Sequence, residues 1–243
     1  MSPPSLRALI FDVDGTLADT ESAHRVSFND AFREEGLDWH WYEPLYRRLL
    51  LISGGKERIA FFMDEQACTP AAGTTERDEL IARLHARKTH IYDRRVRSGA
   101  VPLRPGVHAL IESTLSHGLR LAIATTTTPA NIDALLEPAL GRDWASRFEV
   151  IEHGHSAPRK KPDPQVYQQA LARLQLDASE CIALEDSANG LQAARAAGLA
   201  TVVTPTRFTS GQDFSGALRQ MPNLLGVTVG DLRHWHDSLR VAA

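Results

Sequence analysis

Two carboxylates one residue apart, Asp12 and Asp14, close the apolar run Leu9-Ile10-Phe11 and are followed at once by Gly15 and Thr16. In an extended strand residues i and i+2 face the same way, so the two carboxylates can converge on one point. Like charges that close are costly unless compensated. A divalent cation with oxygen ligands does this, as does a proton held on one carboxyl for acid–base work. Alone, a D-x-D-G segment reads equally well as a turn, since Asp and Gly favour turns. Three further segments shift the balance: Leu121-Ala122-Ile123-Ala124-Thr125, Lys160-Lys161-Pro162-Asp163-Pro164 and Ile182-Ala183-Leu184-Glu185-Asp186-Ser187.

Something must carry these segments to one place. His24, Phe28, Ala31 and Phe32 recur at i, i+4, i+7 and i+8, the period of an amphipathic helix. Leu45, Leu49 and Ile52 continue helically up to Ser53-Gly54-Gly55, and Leu80, Leu84, Lys88 and Ile91 mark a helix beyond the breaker Thr69-Pro70-Ala71-Ala72-Gly73. Residues 20–97 therefore read as an all-helical insertion. Leu103-Arg104-Pro105-Gly106-Val107 opens the return, with a helix to about Leu115 that Gly118 stops and a strand over 119–125. Alternation continues: a helix from Asn131, a strand over 148–151, a helix over 164–174 that Asp163 caps, and a strand over 181–184. A helix over 187–197 ends at Gly198, a strand follows over 200–204, and 224–229 is expected as a last strand.

This alternation predicts an α/β fold: a doubly wound, parallel-sheet, Rossmann-like core over 1–19 and 98–243, with the helical insertion over 20–97. In such sheets ligands bind beyond the carboxyl ends of the strands. Asp12, Thr125 and Asp186 each close an apolar strand pattern, so one fold brings all three together, with Lys161 arriving from a nearby loop.

The bulk properties narrow the function classes. A length of 243 residues suits one large domain or a core with an insertion, and 43% apolar with 23% charged residues is ordinary for a soluble globular protein. A net charge of −3 gives no general attraction to nucleic acid or to an anionic membrane, so any phosphate binding must be local. No run approaches the roughly 20 apolar residues of a membrane span, and residues 8–11 are too short for a signal-peptide core. A cytoplasmic monomer is expected. Cys68 and Cys181 are far apart and read as reduced packing residues. His153-Gly154-His155 and His234-Trp235-His236 have a spacing open to metal ligation but nothing else to support it.

Taken in order, the four segments resemble the haloacid dehalogenase superfamily. Its motifs are an apolar strand ending D-x-D-G-T, a strand ending in Ser or Thr, a Lys before Pro, and a strand ending in acidic residues. The resemblance runs from about residue 6 to about residue 205. It implies that the helical insertion is a cap, that Asp12 attacks phosphorus to give an aspartyl-phosphate, and that Asp14 serves as general acid and then general base. It further implies Mg²⁺ held by Asp12, the Asp14 backbone carbonyl and Asp186, with Glu185 in or near the surrounding shell, and phosphoryl oxygens held by Thr125 and Lys161. Lys160 is a rival for Lys161, and Thr126 to Thr128 are rivals for Thr125. Family members commonly read K-P-x-P-D where this chain has Lys161-Pro162-Asp163-Pro164-Gln165, and many carry an acidic residue at the position of His155.

Within the insertion, Ser53-Gly54-Gly55-Lys56-Glu57-Arg58 joins paired glycines, whose N–H groups can approach an anion, to two cations, and Arg47 lies on the preceding helix. Thr20-Glu21 with His24, Gly-Gly-Lys-Glu-Arg, and Thr125-Thr126-Thr127 resemble the CbbY-type branch, sugar-phosphate phosphatases linked to the Calvin cycle. That branch includes enzymes that remove one phosphate from xylulose 1,5-bisphosphate. The resemblance implies a phosphorylated sugar as substrate, met by Glu21, His24, Arg47, Gly54, Gly55, Lys56, Arg58, Thr126 and Thr127. Two rivals stand beside it: a β-phosphoglucomutase-type phosphosugar mutase on the same core, and a non-enzymatic phospho-aspartate switch like a response regulator. A receiver needs no substrate enclosure, so an insertion with its own anion site argues against the switch.

Overall fold

Along the first strand, Leu9 and Phe11 join one apolar cluster and Ala8 and Ile10 another, and all four are fully buried. A strand apolar on both faces belongs at the centre of a parallel sheet with helices on either side. That is where β1 (Ala8–Phe11) lies in the computed structural model, which describes residues 5–67 and 70–239. Cys68 and Thr69, expected as a packing residue and as the start of a breaker between helices, lie outside the described residues. The other strands are β2 (Arg120–Ala124), β3 (Val150–Glu152), β4 (Cys181–Glu185), β5 (Ala200–Val203) and β6 (Arg219–Gln220). The order across the sheet is β3-β2-β1-β4-β5-β6, every pair parallel. Cys181 is buried at the start of β4, as its sequence context suggests.

Between β1 and β2 the chain leaves the sheet for α1 (Glu21–Glu34), α2 (Glu43–Leu49), α3 (Gly55–Glu65) and α4 (Thr75–Arg97), then returns through α5 (Val107–Ser116). The four inserted helices form a cap with an apolar cluster of its own, centred on Phe28, Phe32, Trp41, Tyr46 and Phe62. Its long helix α4 belongs to both parts. Leu80, Ile81 and Leu84 pack in the cap, whereas Tyr92 and Val96 pack against the core of the sheet. The remaining helices are α6 (Pro129–Leu140), α7 (Gln165–Leu174), α8 (Ala188–Ala196) and α9 (Val229–Ser238). Among the described residues, no helix is long and apolar enough to cross a membrane.

Two expectations need correction. Residues 224–229 are not a strand: the last strand is the two-residue β6, and a capping box between Thr228 and Asp231 starts α9 instead. Leu224 is buried because it packs as a loop residue, its backbone against Gly106. The Gly54-Gly55 pair, read as the end of a helix, begins one. Helix α2 stops at Leu49, and Gly54 at φ 98° is the N-cap of α3, whose buried Ile59, Phe62 and Met63 carry the helical spacing that the glycines obscured.

Gly106 is packed tightly against backbone. At φ 87° it is left-handed, and a Cβ there would lie 2.1 Å from the carbonyl carbon and oxygen of Leu224. Backbone cannot yield as a flexible side chain can. Gly106→Ala is expected to destabilise the protein by about 2 to 4 kcal/mol, read as a lower urea midpoint with an unchanged m-value; an unchanged midpoint would show that the 106–224 contact is loose.

Candidate active site

Strand register brings the acidic segments together. Phe11 pairs with Ile123 on one side and Leu184 on the other, so the residues just beyond each pair emerge at one level of the sheet. Asp12 follows directly on β1, Thr125 follows β2, and Glu185 with Asp186 closes β4; all four are buried, the most exposed at 6%. Asp12, Glu185 and Asp186 each offer a carboxylate oxygen within 4.8 Å of the others.

Lys161 is the cation that enters this cluster. Its Nζ donates to Asp12 Oδ1 at 2.7 Å, Glu185 Oε1 at 2.6 Å and the Ala124 carbonyl at 2.9 Å. Burial alone would lower this ammonium, but the charges of Asp12 and Glu185, with hydrogen bonds to both, outweigh it and push the group up to about 12. Lys160, its neighbour and rival, points away and pairs with Glu57 of the cap at 2.5 Å. Tyr167 on α7 donates its hydroxyl to Glu185 Oε1. The other oxygen, Oε2, accepts from the Asp186 N–H at 3.3 Å. Gly190 makes room for it, since a Cβ there would sit 1.9 Å from Oε2.

Electrostatics in the cluster is unbalanced toward negative charge. Burial, with the charges of Glu185 and Asp14, pushes Asp12 up to about 7 against the pull of Lys161. Burial and the charges of Asp12 and Glu185 push Asp186 well above the carboxylate range. Among the described residues, Asp186 receives only one long hydrogen bond, 3.3 Å from the Thr209 hydroxyl. An under-satisfied buried carboxylate beside a second one fits a hard divalent cation with oxygen ligands. Glu185 is already held by Lys161, Tyr167 and the Asp186 N–H, which leaves Asp12 and Asp186 as the side chains open to a cation. The Asp14 carbonyl also accepts no hydrogen bond among the described residues.

Asp14 is treated differently from Asp12. Thr20 Oγ1 donates to its Oδ1 at 2.7 Å and His24 Nε2 lies 2.9 Å from the same oxygen. Lys88 Nζ lies 2.6 Å from His24 Nδ1. A protonated Lys has only donors, so Nδ1 is the acceptor and the imidazole proton sits on Nε2, facing Asp14. Burial would raise Asp14, yet His24, Thr20 and Lys88 together hold its carboxyl well below the usual range. Asp14 is thus a carboxylate anchored by one oxygen, and its Oδ2 has no partner among the described residues.

Above these groups lies a cavity of about 450 Å³ that runs from the acidic cluster to the cap. Of the residues singled out in the sequence, Glu21, His24, Gly54, Gly55, Lys56, Arg58, Thr125, Thr126 and Thr127 line it. Lys56 forms no hydrogen bond or ion pair among the described residues. Arg58 is spent on the Leu49 and Ile52 carbonyls and the Tyr46 hydroxyl, supporting the loop that carries Gly54. Arg47 is not in the lining: it pairs with Glu43 and lies over the Phe208 ring. His155 lines the cavity, while His153 accepts backbone N–H bonds within its own turn and His236 bonds the Ser179 carbonyl.

Sequence reading missed Lys88, His85 and Asn131 in the lining. For Lys88 a signal was present: a lysine on the buried stripe of a helix, 4% exposed, needs a partner there.

A family model for haloacid dehalogenase-like hydrolases matches residues 6–198. The chain belongs to the haloacid dehalogenase-like hydrolase family. The hydrolase is 54% identical over 219 residues to the "Protein CbbY, plasmid" of Cupriavidus necator, covering 90% of this chain and 86% of the relative. Its fold matches the crystal structure of CbbY from Rhodobacter sphaeroides in complex with phosphate, with a TM-score of 0.86 and 40% identity over 93% of this chain and 99% of that one. A mutant of that protein, crystallised with xylulose-(1,5)bisphosphate, matches equally well. The hydrolase is an enzyme of the phosphatase type.

Lys88 supplies a test of this electrostatic arrangement. Burial, relieved in part by the charges of Asp14 and Glu21, lowers its ammonium from 10.5 to about 8. Between pH 8 and 10.5 the unfolded chain binds more protons at this residue than the folded one, so its contribution to stability rises with pH there. The unfolding free energy of wild type minus that of Lys88→Met is expected to grow across this window, with a slope of up to about 1.4 kcal/mol per pH unit. A difference that stays flat with pH would place the charge of Lys88 in solvent.

Proposed function

We propose that the enzyme is a Mg²⁺-dependent phosphatase that removes one phosphate from a sugar bisphosphate, xylulose 1,5-bisphosphate or a close analogue, through an aspartyl-phosphate. The observation that carries this reading is that one cavity has two anion-binding ends. At one end are Lys161, Thr125 and the N-terminus of α6. At the other are Gly54, Gly55 and the unpaired Lys56 at the N-terminus of α3. A helix N-terminus with free N–H groups attracts phosphate, and a lysine beside it adds a full charge. That a structural relative was crystallised with xylulose-(1,5)bisphosphate supports a substrate with two phosphates.

In this reading Asp12 and Asp186 hold Mg²⁺ with the Asp14 carbonyl, and Glu185 orients Lys161 behind them. The ion, when bound, neutralises charge on the transferring phosphoryl group. Asp12 attacks phosphorus while the bond from phosphorus to the sugar oxygen breaks. Asp14 gives that oxygen a proton from Oδ2; the approach of an anionic phosphoryl group favours its protonated form. Water then attacks the acyl phosphate, Asp14 takes its proton, and inorganic phosphate leaves with Asp12 restored. His24 and Thr20 hold Asp14 in place through both steps. Lys161 and Thr125 hold phosphoryl oxygens by charge and hydrogen bonding, while Glu21 meets the sugar. His24, expected from the sequence to bind substrate, has one ring nitrogen on Asp14 and the other on Lys88 and acts through Asp14 instead. The helices over 20–97 act as one unit that shields the site from water.

Phosphate release from a panel of sugar mono- and bisphosphates with Mg²⁺ tests this. Asp12→Asn is expected to abolish release, at least 10³-fold, because it replaces the nucleophilic carboxylate by a non-nucleophilic amide. Lys56→Ala is expected to keep monophosphate turnover and raise KM for the bisphosphate by about tenfold or more. Release that survives Asp12→Asn, or interconversion of phosphate positions with none released, would overturn the reading.

A further inference from the structure

Arg104 stands where the chain returns from the cap. Its neighbour Leu103 forms an antiparallel bridge with Ala18, and its own N–H donates to the Leu17 carbonyl at 2.8 Å. The guanidinium forms no ion pair among the described residues and does not line the cavity. Every acceptor it meets is neutral. Nη1 donates to the carbonyls of Gly15 and Thr204 and to the Thr204 hydroxyl; Nη2 donates to the carbonyls of Pro205, at 3.2 Å, and Pro222, at 2.9 Å. One planar fork thus gathers the turn after Asp14, the loop after β5 and the segment before α9.

Two of those segments carry the acidic site from opposite sides. Gly15 follows Asp14 and packs directly on Asp186, where a Cβ would lie 2.2 Å from Oδ2. Thr204 donates its N–H to the Glu185 carbonyl at 2.7 Å, and its loop runs on to Thr209, whose hydroxyl reaches Asp186. The β1–β4 pairing sets the level of Asp12 and Asp186, and how closely Gly15 and Thr204 are drawn together adjusts the gap between the Asp12–Asp14 turn and Asp186 beyond the strand ends. Arg104 Nη1 bonds both. A lysine could not do the same, because its compact ammonium on a flexible stem lacks the rigid fork.

We propose that Arg104 is a positioning residue of the phosphatase site, which adjusts the separation of Asp12 and Asp186 that a bound cation must bridge. This rests on the reading that those two carboxylates hold Mg²⁺. Groups that orient metal ligands from behind typically cost 10- to 100-fold in metal affinity when removed.

The test is calorimetric titration of the substrate-free full chain with Mg²⁺ alone, for wild type, Arg104→Met, Arg104→Lys and Arg77→Met, with kcat and KM for xylulose 1,5-bisphosphate measured in parallel. Arg104→Met is expected to raise the Mg²⁺ Kd by about tenfold or more and to lower kcat far more than it changes KM. Arg104→Lys, which keeps the charge without the fork, is expected between wild type and Arg104→Met, and it carries the test if the Met variant does not fold. Arg77→Met removes a buried guanidinium elsewhere, bonded to the Ala60 carbonyl and Asp64 in the cap, and is expected to lower thermal stability with the Mg²⁺ Kd unchanged. Wild-type Mg²⁺ affinity and kcat in Arg104→Lys would overturn the inference. A wild-type protein that does not bind Mg²⁺ would instead overturn the reading of the site.

Discussion

Asp12, Glu185 and Asp186 bring carboxylate oxygens within 4.8 Å of one another at positions almost sealed from water. Such an arrangement costs free energy unless positive charge meets it. Much of the surrounding structure answers that constraint. Lys161 supplies a buried ammonium, held against Asp12 and Glu185 at once. Tyr167 adds a second hydrogen bond to the Glu185 oxygen that Lys161 holds, and the Asp186 N–H and the Thr209 hydroxyl take up one further oxygen each, on Glu185 and Asp186. What is left over is concentrated on Asp12 and Asp186, where oxygen ligands to a divalent cation are wanted.

The two aspartates of the first turn are separated in role by their surroundings. Asp12 shares its pocket with two other carboxylates and one ammonium. Asp14, two residues on, is met by Thr20 and His24, with Lys88 behind the imidazole. Two of these partners belong to the cap helices α1 and α4, so the charge state of Asp14 depends on the cap being in place. Contact between cap and core is made elsewhere too. Phe208, from the loop after β5, is buried in the apolar cluster of the cap against Tyr46, Lys160 pairs with Glu57, and Asn189 donates to the Leu51 carbonyl. Phe208 adjoins Thr209, which bonds Asp186, so one short loop touches both the cap core and the acidic cluster.

The sheet and its acidic edge were legible because their signals are local. Short apolar runs ending in Asp, Thr or Glu-Asp, separated by helical periods, specify parallel strands, and parallel strands put their carboxyl ends on one side. The 224–229 segment misled because a few apolar residues in a row fit a buried loop as well as a strand; the Thr228–Asp231 capping box was the better guide. Gly54-Gly55 misled because paired glycines end helices and also begin them.

What the sequence by itself determined is the order of the elements, the fold class and the identity of the acidic and basic groups, since each rests on residue type and short-range spacing. Tertiary structure alone decided which groups meet. Lys160 and Lys161 are adjacent and alike, and only the path of the loop sends one to Asp12 and the other to Glu57. Arg47, Arg58 and Lys56 read as equivalent cations, yet two are already paired or bonded and one is open to the cavity. Lys88 reaches His24 across 64 residues, and Arg104 reaches Thr204 across 100. Distances of that kind are set by the packing of whole helices against a sheet, and no local pattern encodes them.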